Sequence, residues 1–505
     1  MKDFVGFCLA GMVVLLLTVN LSAQITFERT YGGTDYDQGY SVTQTQDNGY
    51  IVTGYTNSYS TGISDVYVIK TDSLGDTLWT KTFGDSGLDV GNSVIQTVDG
   101  DYLITGDYDN HGAGQYDIYL IKIDSSGNTL WTRTYGGYGG ESGSHIIQNS
   151  DGMYTIAGIT STYGSGSFDI YLIKVDSIGD TLWTKTYGGS DAEFVRSFSE
   201  TTDGGYIITG QTYSYGGDKC DVYLVKTDST GNMMWQKTYG DTANDIGNSV
   251  IQVSDGGYII SAFTESYGAD SGDIWLIKTD SLGDTLWTEM HGGTGPDLAM
   301  VIINTLDNGF CLAGATGSYG SGLIDVYLAK IDSSYNVLWT RTYGGTEDDF
   351  CWSAAQTFDK GFVMAGYTNS FGAGESDVYL IKTDSLGNVG VEEEKKENSK
   401  FEIRNSKLTA HPNPFTTKTV IEFRSSGVLE LNTQLPNSST PQLKIYDVSG
   451  RLVKDFSLLP FNFLLSTTVE WDGRDNSNRE LSSGVYFLKF KSEGYTETRK
   501  VLMVR

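Results

Sequence analysis

The sequence predicts an all-β chain: a seven-bladed β-propeller whose N-terminal strand closes the last blade, followed by a small Ig-like β-sandwich. Three observations carry this reading. The stretch Asp65-Val-Tyr-Val-Ile-Lys70 returns at Asp117, Asp169, Asp221, Asp273, Asp325 and Asp377, always 52 residues on. The turn marker Asp47-Asn-Gly-Tyr50 keeps that step at Asp99, Asp151, Asp203, Asp255, Asp307 and Asp359. So does an aromatic at Phe27, Trp79, Trp131, Trp183, Trp235, Trp287 and Trp339. A period of about 40–50 residues built from short strands marks a propeller or similar array, in which one repeat cannot bury its own faces.

Within one repeat, four runs rich in β-branched and aromatic residues alternate with turns of Gly, Asp, Asn and Ser. They are Tyr40–Thr45, Tyr50–Thr56, Asp65–Thr71 and Thr77–Thr82, and this alternation is the signal of antiparallel hairpins. Nothing in the region has helical period. The third strand occurs seven times, ending with Asp377–Thr383, but the first copy of the fourth strand, Ile25–Thr30, precedes every complete repeat. Its eighth copy would fall near Val391, where the chain becomes Glu- and Lys-rich instead. A displaced strand of this kind completes the last blade and hides the edges an open sheet would expose.

The 505 residues exceed one ordinary domain. The expected divisions are a signal peptide over 1–23, the propeller over 24–389, a charged linker over 390–408 and a C-terminal domain over 409–505. Lys2, the apolar run Phe4–Val19 and the small residue Ala23 make the N-terminal segment a secretory signal. A membrane anchor is the alternative, against which the run falls short of the roughly 20 residues a spanning helix needs. No second apolar stretch follows, so no integral membrane segment is expected in the mature chain. A net charge of -29 argues against nucleic acid, whose phosphates would be repelled. Cys220, Cys311 and Cys351 are too few and scattered for a disulfide framework or zinc site and read as buried free thiols, with a Cys311–Cys351 bridge as the alternative.

The Gly- and Asp-rich repeat over Ile25–Asn388 resembles the β-propeller repeats common in secreted bacterial proteins of the SBBP type. Its turn Asp72…Gly75…Trp79 is similar to the tryptophan-docking motif of quinoprotein propellers and to the Asp-box of sialidases. It is one residue shorter than the first and two longer than the second. In both families the motif fastens blades.

Residues repeated in every blade read as structural, because a ligand site rarely needs seven copies. The sevenfold acidic position Asp37, Asp89, Glu141, Glu193, Asp245, Asp297 and Asp349 is therefore expected to fasten loops, with a cation-attracting funnel as its alternative. Lys70 and its equivalents are expected to pair with the Asp two residues on. Function should sit where the repeats disagree. One first-strand position reads Tyr40, Asn92, Ser144, Arg196, Asn248, Met300 and Trp352. Two residues on, and so on the same face in a regular strand, the position is apolar. If this strand is innermost, the variable set lines the mouth of the central channel. Arg196, the one propeller arginine outside the fourth strand, joins Trp352, the amides and the neighbouring His145 as candidates for a polar ligand such as a sugar. The loop aromatics Tyr59, His111, Tyr163, Tyr215, Tyr267, Tyr319 and Phe371 read as anchors for Gly-rich loops. Asp107–Gly112 has the look of a calcium loop but lacks the closing Glu. No cofactor or metal is expected.

Catalytic constellations are missing from the sequence: four histidines lie in no metal-binding spacing, and no nucleophile or phosphate motif appears. A carboxylate pair for glycan chemistry stays open. Beyond the linker come Pro412-Asn413-Pro414-Phe, Tyr446-Asp-x-x-Gly450-Arg451, Trp471-Asp-Gly-Arg-Asp475, Ser483-Gly484-Val-Tyr486 and Lys500-x-x-x-x-Arg505. This ordered set resembles the type A C-terminal sorting domain of the type IX secretion system of Bacteroidetes. The resemblance implies export across the outer membrane, with residues 409–505 engaging the secretion machinery and the passenger secreted or displayed on the surface. Ser425–Gln442 departs from the pattern as an insertion-like stretch. The whole is expected to be a non-catalytic binding or adhesion propeller for polysaccharide or a surface protein. The alternatives are a glycan-active hydrolase or lyase and a purely structural surface protein.

Overall fold

A computed structural model describes residues 24–109, 116–217, 219–268, 272–389, 407–424, 442–448, 451–456, 466–492 and 495–504. The chain falls into two compact units that divide after Glu392. The 1–23 segment, His111 and most of its loop, residues 390–406, most of the insertion-like stretch, Gly450 and Arg505 lie outside the described residues.

The first unit opens with β1 (Phe27–Tyr31), then β2 (Asp37–Gln44), β3 (Tyr50–Thr56), β4 (Asp65–Thr71) and β5 (Thr77–Phe83). Strands β2 to β5 make one four-stranded antiparallel sheet in chain order, and five more sheets repeat it. The seventh sheet takes Asp349–Gln356, Phe362–Thr368 and Asp377–Thr383 and adds β1 as its fourth strand, Phe27 facing Lys382 and Tyr31 facing Val378. Each first strand touches the first strand of the next sheet, and the seventh touches the first. At that junction Phe358 N–H donates to Gln44 Oε1 at 2.7 Å and Val42 N–H to Ser353 Oγ at 3.2 Å.

The core lies between sheets. Ile51, Val66 and Val68 of the first sheet pack with Tyr102, Ile104 and Ile121 of the second in one cluster, and the other junctions follow the same plan. The third strands are buried almost throughout, while fourth strands such as β5 are half exposed. Central Lys or Arg residues on most of these outer strands blunt the edges.

Three fasteners recur. The ring of Trp235 lies against the turn glycine Gly283 of the next sheet, where a Cβ would come within 2.9 Å of Cζ3 and where φ is +79°. At Gly283 a side chain would be both strained and crowded, which favours glycine. A tyrosine closes five of the seven fourth strands and donates its hydroxyl to the next turn glycine's carbonyl at 2.6 Å, as Tyr31 does to Gly75 and Tyr187 to Gly231; Phe83 and His291 stand in the other two. Finally the side-chain oxygen of Gln96, Gln148, Glu200, Gln252, Gln356 and Gln44 accepts an N–H from the preceding sheet's first turn. Asn304, one methylene shorter, instead donates to Gln252 O at 3.4 Å.

The lysine row behaves differently from the sequence reading. Lys70 reaches Asp47 at 2.9 Å and Lys226 reaches Asp203 at 2.8 Å; every copy bonds the turn aspartate 23 residues earlier rather than the Asp two residues on. Antiparallel pairing sets Lys70 opposite Ile51, beside the β2–β3 turn. The lysines are also buried, not exposed, and most bond a neighbouring carbonyl such as Thr71 O at 2.8 Å. Burial opposes ionisation of Asp203, yet hydrogen bonds from Lys226 and Thr201 hold its carboxyl down to about 2. The three described cysteines are buried free thiols.

The second unit pairs Lys407–His411, Thr419–Arg424 and Ser466–Trp471 in one sheet. Leu452–Asp455, Gln442–Asp447, Gly484–Ser492 and Tyr495–Met503 form another. Leu408, Ile421 and Trp471 from the first share one core with Ile445, Leu488 and Val501 from the second, which is the construction of a sandwich.

Candidate ligand site at the channel mouth

Because first strands meet first strands, β2 and its equivalents surround the axis of the propeller. Each carries an irregularity at one place: the register slips between Gly39 and Ser41, Gly91 and Ser93, Gly143 and His145, Val195 and Ser197, Gly247 and Ser249, Ala299 and Val301, Cys351 and Ser353. The residue left without a partner is, in order, Tyr40, Asn92, Ser144, Arg196, Asn248, Met300 and Trp352. The variable row is thus a ring of seven β-bulges. A bulge inserts an extra residue and re-aims its side chain, so the simple two-residue alternation from Tyr40 to Val42 does not hold. Val42 pairs with Val52 and shares the face of Gly39.

Five aromatic rings gather where the seventh sheet meets the first. Tyr40 lies 5.7 Å from Tyr55 and 5.7 Å from Trp352, edge to face with the latter. Phe350 lies 4.4 Å from Trp352 and stacks near-parallel on Tyr367 at 5.9 Å. The Trp352 Nε1 is enclosed and has no hydrogen-bond partner among the described residues. Tyr40 bonds Gln38 Oε1 only at 3.4 Å, and burial raises its phenol pKa, helped by Tyr55 and Asp107.

Asp107 borders this cluster on the second sheet. Burial pushes its carboxyl up to about 6, against the lowering influence of Ser142, Asn92 and the Gly143 N–H nearby, and its Oδ1 is enclosed without a hydrogen-bond partner among the described residues. The folded chain therefore binds this proton more tightly than the unfolded chain, whose pKa is near 3.9. The resulting stabilisation is full below that pKa and is lost as pH rises through about 6. Asp107→Asn is expected to raise stability at about pH 7.5, by on the order of 1–3 kcal/mol, with little gain near pH 4. Melting temperatures of both proteins at the two pH values check this; a gain of equal size at both would contradict it.

The other candidates divide. Asn92 donates to Gly143 O at 3.0 Å and Asn248 to Ala299 O at 3.3 Å, so both amides already join neighbouring sheets. Met300 is half-buried. Arg196 is exposed and forms no ion pair among the described residues; desolvation within the ring of strands lowers its pKa, against Cys220 and Tyr213, which raise it. It belongs to the fourth sheet and Trp352 to the seventh. His145 follows a bulge in the ring position held elsewhere by Ser41, Ser93 and Ser353, which accept N–H groups of the next sheet. Its side chain is solvent-exposed by area yet crowded by the surrounding strands, and this desolvation lowers the imidazole pKa to about 4, leaving it neutral near pH 7. Sequence reasoning passed over Tyr55 and Tyr367 and read Asp107 only as the start of a calcium-like loop, although their row, Tyr55, Asp107, Ile159, Gln211, Phe263, Ala315 and Tyr367, varies as much as the bulge row.

The acidic row is not an open funnel. All seven residues are buried to within 1% of full enclosure. Each accepts a loop N–H, as Gly33 N–H gives to Asp37 at 2.7 Å, Gly137 to Glu141 at 2.8 Å and Gly345 to Asp349 at 2.7 Å; Asp89, Glu193, Asp245 and Asp297 do the same. The loop tyrosines bond glycine carbonyls, Tyr59 to Gly32 at 2.7 Å and Tyr319 to Gly292 at 2.9 Å. Among the described residues no three His, Cys, Asp or Glu side chains gather as a metal site, and no helix is long and apolar enough to cross a membrane.

In the second unit the motif residues form turns and core. Asn413 accepts from Leu502 N–H at 2.8 Å and donates to Lys500 O at 2.9 Å, between Pro412 and Pro414. Arg451 closes a tight turn on Asp447 at 2.9 Å. Trp471 is fully buried between Phe415 and Tyr486, and Tyr486 bonds Ser482 O at 2.7 Å two residues before Gly484. Lys500 is exposed.

Residues 409–504 match the family of secretion system C-terminal sorting domains. The regulatory protein FlaEY of Caulobacter vibrioides is 25% identical over 320 residues, which cover 51% of this chain and 33% of that protein, so the match spans a third of its length. Among solved structures, PorZ, a surface component of the type-IX secretion system of Porphyromonas gingivalis, is 12% identical with a TM-score of 0.39 over 94% of this chain and 60% of its own. A puromycin hydrolase is 11% identical with a TM-score of 0.47 over 80% and 61%. Likeness this distant says nothing of activity. The chain is a secreted or cell-surface protein that carries repeated propeller-like blades and a type IX C-terminal sorting domain.

Proposed function

We propose that this protein is a non-catalytic binding propeller, delivered to the cell surface by its sorting domain, that holds polysaccharide at the junction of its seventh and first sheets. In this reading residues 1–23 are a signal peptide, 24–389 the propeller, 390–408 a linker and 409–505 the sorting domain that engages the secretion machinery. The supporting observation is the aromatic cluster of Tyr40, Tyr55, Phe350, Trp352 and Tyr367, gathered around the bulge residues Tyr40 and Trp352, with an enclosed Trp352 N–H that lacks a partner among the described residues. Sugar rings present apolar faces to aromatics and hydroxyls to such donors, the pairing of apolar wall and few polar groups that small-ligand sites use.

A polysaccharide array probed with the purified chain and with Tyr40→Ala/Trp352→Ala tests this. Wild-type binding that the double variant loses, with an unchanged melting temperature, is expected. Binding retained by the variant would sink the site. A second reading rests on Asp107, whose raised pKa would suit a proton donor in glycan cleavage; product release from a bound polysaccharide, lost in Asp107→Asn, would favour it.

A further inference from the structure

The junction between the fifth and sixth sheets breaks the repeat at three positions at once. The central residue of each fourth strand is a cation in six sheets, Arg29, Lys81, Arg133, Lys185, Lys237 and Arg341, and an acid, Glu289, in the fifth. The tyrosine that closes the strand becomes His291 there. The next turn's glycine becomes Tyr335, held at φ +70°.

Elsewhere the cation has a defined task. Arg29 lies over Phe27 at 5.6 Å, Arg133 over Trp131 at 5.5 Å and Arg341 over Trp339 at 5.3 Å. The same row reaches across to the next sheet's turn: Lys237 to Asp284 at 2.7 Å, Lys185 to Asn232 Oδ1 at 3.0 Å, Arg133 to Asp180 at 3.7 Å. Each such junction supplies an aromatic face, a turn oxygen and its own cation.

At the fifth junction the receiving groups remain and the cation is gone. Trp287 is half-buried, and the Asn336 side-chain oxygen takes no donor among the described residues. Tyr335 wedges in at 4.7 Å from Trp287 and stacks on Phe310 at 5.6 Å. The result is a groove of about 690 Å³ lined by Trp287, Glu289, His291, Tyr335, Asn336 and Val337. That lies within the range of about 300–1,000 Å³ typical of ligand sites. Glu289 is 47% exposed and has no Lys or Arg partner among the described residues. The nearest basic group, His291 Nε2, stands 3.8 Å away, enclosed and without a hydrogen-bond partner. Burial lowers the His291 pKa, so a neutral ring does not compete for the carboxylate.

We propose that this groove binds an arginine side chain presented by a protein or peptide partner, with the guanidinium over Trp287 and paired to Glu289. The incoming group takes the place that the chain's own Arg fills at other junctions. Arginine is preferred to lysine because its planar fork both stacks on an aromatic and pairs two-fold with a carboxylate. The groove extends along both strand and turn, which leaves room for flanking peptide.

The test is calorimetry on the full chain with Ac-Gly-Arg-Gly-NH₂, its lysine analogue and its citrulline analogue, a neutral isostere. Salt near 0.15 M screens the general acidity of the surface beyond about 8 Å. Arginine is expected to bind at least about tenfold tighter than citrulline, a gap of about 1.4 kcal/mol. Glu289→Lys, which restores the residue type of the other six sheets, should abolish binding, and Glu289→Gln should weaken it about tenfold. Asp191→Asn, an exposed charge removed elsewhere, should leave it unchanged. Citrulline binding as tightly as arginine, equal loss in Asp191→Asn, or undiminished binding by both Glu289 variants would each overturn the proposal.

Discussion

Replacing Ile25–Tyr31 with a Gly-Ser segment of equal length is expected to destroy the cooperative fold of the propeller. The change removes five paired residues from the edge of Asp377–Thr383, a strand otherwise buried along its whole length. It also removes Phe27, which is 3% exposed and fills the slot the Trp row occupies at the other junctions. Losing one buried Phe costs about 3–5 kcal/mol, and each strand hydrogen bond adds on the order of 1 kcal/mol. Together these rival the 5–15 kcal/mol of a typical domain. A bare, apolar strand edge also invites pairing between molecules. Calorimetry should show loss or broadening of the main transition, and size-exclusion chromatography should show aggregates. A melting temperature within about 2 °C of wild type would mean that β1 is dispensable.

Trp471→Ala is expected to abolish surface delivery while leaving the propeller folded. Trp471 is the largest fully buried side chain of the sorting domain; it packs on Phe415 and Tyr486, and its Nε1–H bonds Arg474 O at 3.0 Å. Truncation costs about 3–5 kcal/mol, a large share of what a small domain has. Cell fractionation should find the variant retained inside the outer membrane, with the propeller's thermal transition preserved. Normal surface display would show that recognition needs only short linear motifs.

Much of the fold is legible because the repeats are nearly identical: the 52-residue step and the strand displaced to Phe27 lead directly to seven sheets and to the β1 pairing. The bulges are not legible. An inner strand with an extra residue carries the same short polar-apolar text as one without, and only the register of its partner reveals the slip. The lysine partners were missed for a related reason, since Lys70 and Asp47 are 23 residues apart and meet only through the β3–β4 pairing. At the candidate site, Tyr40 and Trp352 come together as rings, whereas Arg196 stands apart on another sheet and Asn92 and Asn248 are engaged in holding sheets together. The fifth junction did leave a sequence signal. His291 is a visible departure, and setting Glu289 and Tyr335 beside their six counterparts shows three departures converging on one groove.

In the proposed reading, residues shared by all repeats build the propeller while residues that break the pattern bind. Polysaccharide capture per folded molecule, measured beside melting temperature, tests it most directly when Tyr40→Ala and Trp352→Ala are set against Tyr163→Ala and Tyr319→Ala. The first pair is expected to lose capture with little change in melting temperature, while the loop variants melt earlier and capture normally. Capture lost in the loop variants and kept in the other two would contradict it.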